Sequence, residues 1–148
     1  MRVAMVAAAL LMVATGIAQS VLSAEATTRS VWDGVYTAEQ SKRGQALYAK
    51  TCASCHAADL SGGESAPPLA GGDFLSNWSG LTAGELFERI RITMPPDKPG
   101  KLGREVNADI LAYVLEMNRF PPGPAELPRG TELLKQIKIE ATKPDSKK

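Results

Sequence analysis

Cys52-Ala53-Ser54-Cys55-His56 is the stretch on which the reading of this chain turns. It contains both cysteines and the single histidine of a 148-residue sequence. Two thiols about one helical turn apart, with an imidazole directly after the second, form the pattern at which a haem is attached covalently. The two sulfurs add across the porphyrin's vinyl groups, and the adjacent imidazole meets the iron from one face.

Other uses of a Cys-x-x-Cys pair fit less well. A thiol–disulfide oxidoreductase needs a βαβ setting, and this chain shows helix and loop patterns instead. A zinc site usually takes four ligands, whereas Cys52, Cys55 and His56 supply three that are crowded together. A structural disulfide gains most by closing a longer loop.

The formal net charge is +1, which gives no nucleic-acid footprint. A domain of this size buries a thin core by itself, and a large apolar cofactor would fill much of it. Residues 1–26 have the layout of a secretory signal peptide: Met1-Arg2, an apolar run over 3–14, then Ala24-Glu25-Ala26 as a small-x-small cleavage site, with a cut between 20 and 24 as the alternative. The run is short for a bilayer span and no charged residue directly follows it, so cleavage is expected rather than stable membrane insertion. Export would place the protein in the periplasm, an oxidising compartment, which is also where bacteria attach haem to protein. Cleavage removes Arg2 and Glu25 together and leaves the net charge unchanged.

Residues 27–36 form an N-terminal extension, with Trp32 and Tyr36 expected to anchor a loose start. Thr37-Ala38-Glu39-Gln40 reads as a capping box, and a helix is predicted from 38 to about 50, ending at the Cys-x-x-Cys-His motif. Gly44, Leu47 and Tyr48 share one face of it. A glycine inside a helix costs about 1 kcal/mol against alanine, so Gly44 points to the close approach of a second helix. The loop over 57–72 is long enough to be functional and would wrap the haem edge. Its Pro67-Pro68-Leu69 can present a rigid carbonyl to the second imidazole nitrogen. Phe74 and Trp78 suggest a short helical turn. Thr82-Ala83-Gly84-Glu85 is a second capping box, opening a helix over 83–92 with Leu86, Phe87 and Ile90 inward and Glu85, Glu88 and Arg89 outward. A loop over 95–103 leads to a helix over 104–118, whose Tyr113 is expected to pack on Gly44 and Tyr48. The domain then spans 37–120. A tail over 121–148 carries Leu127, Leu133, Leu134, Ile137 and Ile139, which could dock back, and its end over 143–148 is expected to be disordered.

One histidine excludes a bis-histidine iron site within this chain. The sixth position is left to methionine, lysine, water or nothing. Met1, Met5 and Met12 lie in the signal segment. Met117 sits on the apolar stripe of the last helix and reads as core. Met94, 38 residues after His56, precedes Pro95; proline keeps the residue before it extended, so the thioether is presented on a stiff loop. His/Met ligation raises the potential and fills both axial positions, which describes an electron carrier rather than an enzyme. The alternatives are a haem-binding subunit or sensor that works only within a complex, and a Cys-x-x-Cys oxidoreductase.

These pieces together resemble a class I c-type cytochrome: the Cys52–His56 motif, Pro67-Pro68-Leu69-Ala70-Gly71, Trp78, Ile90-Arg91-Ile92-Thr93-Met94-Pro95 and Asp109-Ile110-Leu111-Ala112-Tyr113 follow in that family's order. The resemblance implies an all-α small cytochrome c fold, three to four helices and long loops around one covalent haem c. It implies Cys52 and Cys55 as thioether positions, His56 and Met94 as axial ligands, and Pro67 as the proline whose carbonyl holds the histidine. Trp78 and Arg91 become candidates for the haem propionates. Val31-Trp32-Asp33-Gly34-Val35-Tyr36, the Phe74/Trp78 spacing and Met94-Pro95-Pro96 are similar to cytochrome domains associated with PQQ-dependent alcohol or sugar dehydrogenases. That likeness implies such a dehydrogenase as electron donor, and a terminal oxidase or another cytochrome as acceptor. Ala57 departs from the family, where glycine is common after the histidine; the change is expected to cost little.

Overall fold

The structure is a computed structural model and describes residues 29–145. The expected signal segment and residues 146–148 at the end of the tail lie outside it. In chain order the elements are β1 (Arg29–Ser30), a 3-10 turn (Val31–Asp33), α1 (Ala38–Thr51), α2 (Ala53–His56), α3 (Gly72–Trp78), α4 (Ala83–Thr93), α5 (Arg104–Met117), α6 (Thr131–Leu134) and β2 (Ile137–Lys138). Helices α1, α3, α4 and α5 are the four expected from the sequence; α2 and α6 are single turns. No helix among the described residues is long and apolar enough to cross a membrane.

Helices α1 and α5 cross at Gly44. A methyl built there would lie 1.8 Å from the Asp109 carbonyl oxygen and 3.0 Å from Cβ of Tyr113. The glycine is therefore what lets the two backbones meet. Tyr113 and Tyr48 pack beside it as a tilted pair with ring centroids 5.4 Å apart. At the same crossing, Arg43 donates to both carboxylate oxygens of the buried Asp109 at 2.9 and 3.0 Å, and also to Glu126 of the tail at 2.8 Å. The pairing is bidentate, the geometry in which a guanidinium binds a carboxylate most firmly.

The capping box expected at the start of α1 is only half formed. Thr37 Oγ1 accepts from the Gln40 backbone, but the Gln40 side chain turns away. It is buried, donates to the Leu127 carbonyl at 3.2 Å and accepts from the Leu127 N–H at 2.6 Å. The buried backbone N–H and carbonyl of Leu127 need both partners, and that demand outweighs the cap. The second box, Thr82 with Glu85, forms in full.

The N-terminal segment is not a loose extension. Val31, Val35 and Tyr36 belong to the core. The Tyr36 hydroxyl donates to the Phe120 carbonyl at 2.5 Å, and Trp32 Nε1 donates to the Glu140 carbonyl at 2.9 Å. β1 pairs in parallel with β2, Arg29 opposite Ile137 and Ser30 opposite Lys138. A two-residue ladder leaves no alternating pattern to read from sequence. Leu127, Leu134, Ile137 and Ile139 dock as expected, while Leu133 stays 56% exposed. The tail runs along α4: a methyl on Gly84 would meet Lys135 at 2.7 Å, and Ile139 exchanges backbone hydrogen bonds with Gly80 and Leu81.

Thr131 at the start of α6 donates through its hydroxyl to Glu88 of α4. Arg91 donates to the same carboxylate, and these hydrogen bonds, Arg91's first, hold it down at about 2. A depressed acid stabilises the fold above its ordinary value near 4.5, and that contribution is lost as pH falls towards 2. Glu88→Gln should therefore lower the thermal midpoint at neutral pH, and the gap to wild type should narrow progressively as the pH drops from 4.5 to 2. A gap that stays constant over a melting series in that range would remove Glu88 from the acid response.

Candidate haem site

The Cys-x-x-Cys-His motif is wound at the end of α1. Cys52 caps that helix through its N–H to the Tyr48 carbonyl, and its own carbonyl accepts from Cys55 N at 3.1 Å and His56 N at 3.0 Å. One turn thus carries both sulfurs and the imidazole. Both thiols are free, Cys52 partly covered and Cys55 exposed. Burial pushes the Cys52 thiol up.

His56 is 7% exposed, and its Nδ1 lies 2.9 Å from the Pro67 carbonyl oxygen. A carbonyl only accepts, so Nδ1 carries the proton and donates. The Nε2 lone pair is then left to face a metal. The proton on one nitrogen and the lone pair on the other are what an imidazole ligand needs, and the hydrogen bond fixes the ring plane as well. The loop that brings Pro67 to this point is held by short-range bonds: Gly62 N to His56 O at 3.0 Å, Leu69 N to Leu60 O at 2.9 Å, and Gly63 N to Ala66 O at 2.8 Å.

Ala57 corrects one expectation. It adopts φ 62 and ψ 159, a region that is essentially glycine's and costs another residue on the order of 1–3 kcal/mol. The Tyr48 hydroxyl holds the Ala57 carbonyl at 2.7 Å and helps impose the conformation. The departure from glycine is thus expensive rather than cheap. Ala57→Gly should raise stability to urea by about 1 kcal/mol, the relieved strain less glycine's added freedom in the unfolded chain. An unchanged or lower stability would show that the strain is absorbed elsewhere.

Met94 follows α4 directly. Its N–H still bonds to the Ile90 carbonyl at 2.9 Å, and its backbone is extended at φ −117, ψ 148, as the proline after it requires. The loop behind it is a pair of turns, Lys98 N to Pro95 O at 3.0 Å and Lys101 N to Lys98 O at 3.3 Å. Met117, the other methionine of the described residues, lines a cavity of about 280 Å³ with Gly71, Gly72, Leu75 and Asn118. Leu69, Ile90, Leu102 and Val106 pack on the core but remain partly exposed. Leu69 follows Pro67 on its loop, Ile90 and Leu102 flank Met94 on α4 and the loop after it, and Val106 opens α5; they are apolar surface of the kind a porphyrin covers. The donor chemistry and this surface fit a covalently held haem.

The two propionate candidates fare differently. Trp78 is partly buried, tilted against Phe74 at 6.4 Å, and its indole N–H has no partner among the described residues. Arg91 spends Nε and Nη2 on Glu88 at 2.6 to 3.1 Å. It lies in a cleft of about 580 Å³ between α4 and α6, lined also by Glu88, Arg104, Thr131 and Leu133 but not by the Cys-x-x-Cys-His motif or Met94. Sequence reasoning missed two asparagines, Asn107 of α5 and Asn118 at its C-cap, that bond the loops on either side of the site. Asn118 carries no local mark, because its loop partners Leu69 and Gly71 lie 47 to 49 residues away; Asn107 bonds carbonyls only four and five residues earlier, a spacing that could have drawn notice.

A family model described as cytochrome c oxidase, cbb3-type, subunit III matches residues 39–114, just over half of the chain. The chain belongs to this family. It is a c-type cytochrome domain, and the mostly helical architecture is the small cytochrome c fold. Membership implies a covalently bound haem, and the matched span contains Cys52, Cys55, His56, Pro67 and Met94. Among solved structures, the sulfane dehydrogenase SoxCD from Paracoccus pantotrophus is similar at 24% identity and a TM-score of 0.44, over 72% of this chain and 60% of that chain. No curated protein matches the cytochrome.

Proposed function

We propose that this cytochrome is a periplasmic electron carrier with one haem c, bound through Cys52 and Cys55 and ligated by His56 and Met94. The observation that carries the reading is the 2.9 Å contact of His56 Nδ1 with the Pro67 carbonyl, because it leaves Nε2 as the ligand and fixes the plane of the ring. Met94 is the better of the two methionines: it is extended on its own loop, whereas Met117 sits beside the loop that follows Pro67. The haem, when bound, supplies a one-electron couple. The protein's part is to hold the histidine proton in place, to present the thioether, and to keep water from the iron with partly covered apolar side chains. Trp78 and the free Nη1 of Arg91 are the groups offered to the propionates.

The apolar leader over residues 1–26 supports export, and with it a periplasmic site. The domain reading is a cleaved 1–26, a short 27–36 segment, the cytochrome over 37–120 and the tail. The donor would be a dehydrogenase, a PQQ-dependent alcohol or sugar enzyme being the candidate from the Val31–Tyr36 likeness, and the acceptor an oxidase or second cytochrome. A thiol–disulfide role is disfavoured because redox-active Cys-x-x-Cys thiols have lowered pKa values, while burial raises that of Cys52. The test is a reduced-minus-oxidised spectrum and an intact mass of protein exported in cells that attach haem. Sharp visible bands and one haem mass per chain are expected, with both lost in the Cys52→Ala/Cys55→Ala protein. A wild-type chain without haem mass would overturn the assignment.

A further inference from the structure

Asn107 and Asn118 lie on α5 and its C-cap, 11 residues apart. At 3.6 residues per turn this is just over three whole turns, so both project from nearly the same face, about 16 Å apart along the axis. Both are buried, Asn107 at 0% and Asn118 at 8% exposure. Each reaches a different loop. Asn118 Nδ2 donates to the Leu69 carbonyl at 2.9 Å, and its Oδ1 accepts from Gly71 N at 3.1 Å. It thereby fixes the stretch that immediately follows Pro67. Asn107 Nδ2 donates to the Leu102 and Gly103 carbonyls at 3.0 Å each. From Leu102 the two turns at 98–101 and 95–98 run back to Pro95, next to Met94.

Between them α5 is itself immobilised, by the Gly44 crossing and the Arg43–Asp109 pair. That crossing also fixes α1, which leads into the Cys-x-x-Cys-His motif. From these placements we infer that Asn107 and Asn118 are positioning residues for the two axial ligands, Asn118 acting on His56 through Pro67 and Asn107 acting on Met94 through its loop. Helix α5 then serves as the spacer that sets the distance between the two loops. Neither asparagine would touch the iron. The inference rests on the His56/Met94 ligation proposed above.

The proposal predicts a crossed pattern of effects. Asn107→Leu keeps the branching at Cγ but removes both donors, so Met94 should yield more easily to an outside ligand. Imidazole affinity of the oxidised holoprotein should rise about tenfold, the scale on which supporting hydrogen bonds act at metal sites, while exchange of the His56 Nδ1 proton, followed by NMR, stays within about twofold. Asn118→Leu should do the reverse, accelerating that exchange about tenfold and leaving imidazole affinity within about twofold. The milder Asn107→Ser and Asn118→Ser proteins carry the same test if a leucine variant fails to fold. Parallel changes in both readings, scaling with lost thermal stability, or no change in either, would overturn the positioning roles. A wild-type holoprotein lacking the methionine–iron charge-transfer band would instead overturn the ligand assignment, and this inference with it.

Discussion

Met94→Ala should lower the reduction potential by at least on the order of 100 mV, a fraction of the ~0.8 V over which axial ligands tune a haem. A thioether favours ferrous iron, and a water or vacant position in its place removes that preference. The extended backbone of Met94 is set by the proline that follows it, so the substitution should remove the proposed ligand and leave the fold in place. Three results should appear together: loss of the methionine–iron charge-transfer band, a lower midpoint in a redox titration, and carbon monoxide binding to the reduced protein. Met117→Ala, at the far end of α5, should leave all three readings in place. If instead Met117→Ala abolishes the band and Met94→Ala does not, the sulfur has been assigned to the wrong residue.

The second large effect concerns stability. Gly44→Ala should destabilise the protein by roughly 3 kcal/mol or more. Overpacking a core usually costs about 1–3 kcal/mol because side chains can shift, but here the new methyl meets a backbone oxygen at 1.8 Å. The helices must part to admit it, which loosens the Tyr48–Tyr113 contact and the Arg43–Asp109 pair at the same crossing. Since α1 runs straight into Cys52, the yield of haem-loaded protein should fall too. Urea unfolding measures the first effect and the haem-to-protein ratio the second. A loss under about 0.5 kcal/mol, the range of neutral surface changes, would mean that the crossing is set by other residues.

Gly44 was legible in the sequence because a glycine inside a helix calls for a reason, and a neighbouring backbone is the usual one. Met94 was legible because a following proline dictates the conformation before it. The partners of polar side chains were harder to see. Gln40 satisfies every local rule for a capping box, yet its amide serves Leu127, 87 positions away. Asn118 answers to Leu69 and Gly71, whose positions beside it exist only once the chain has folded. Arg91 was singled out for a propionate alone, yet its Nε and Nη2 bond Glu88 three residues earlier, a spacing itself visible in the sequence. Ala57 was misjudged because a composition-level departure says nothing of φ until the turn after His56 is known.

The closing of the N-terminal segment on the tail bears on the order of folding. Tyr36 waits for Phe120, Gln40 for Leu127 and Trp32 for Glu140, across 84 to 108 residues of chain. Contacts of that range bring the entropy of a long loop before they return any stability. A chain that appears from its N-terminus therefore presents residues 29–40 and the Cys-x-x-Cys-His turn before the tail partners that secure the segment exist, so the turn emerges while that clasp is still open.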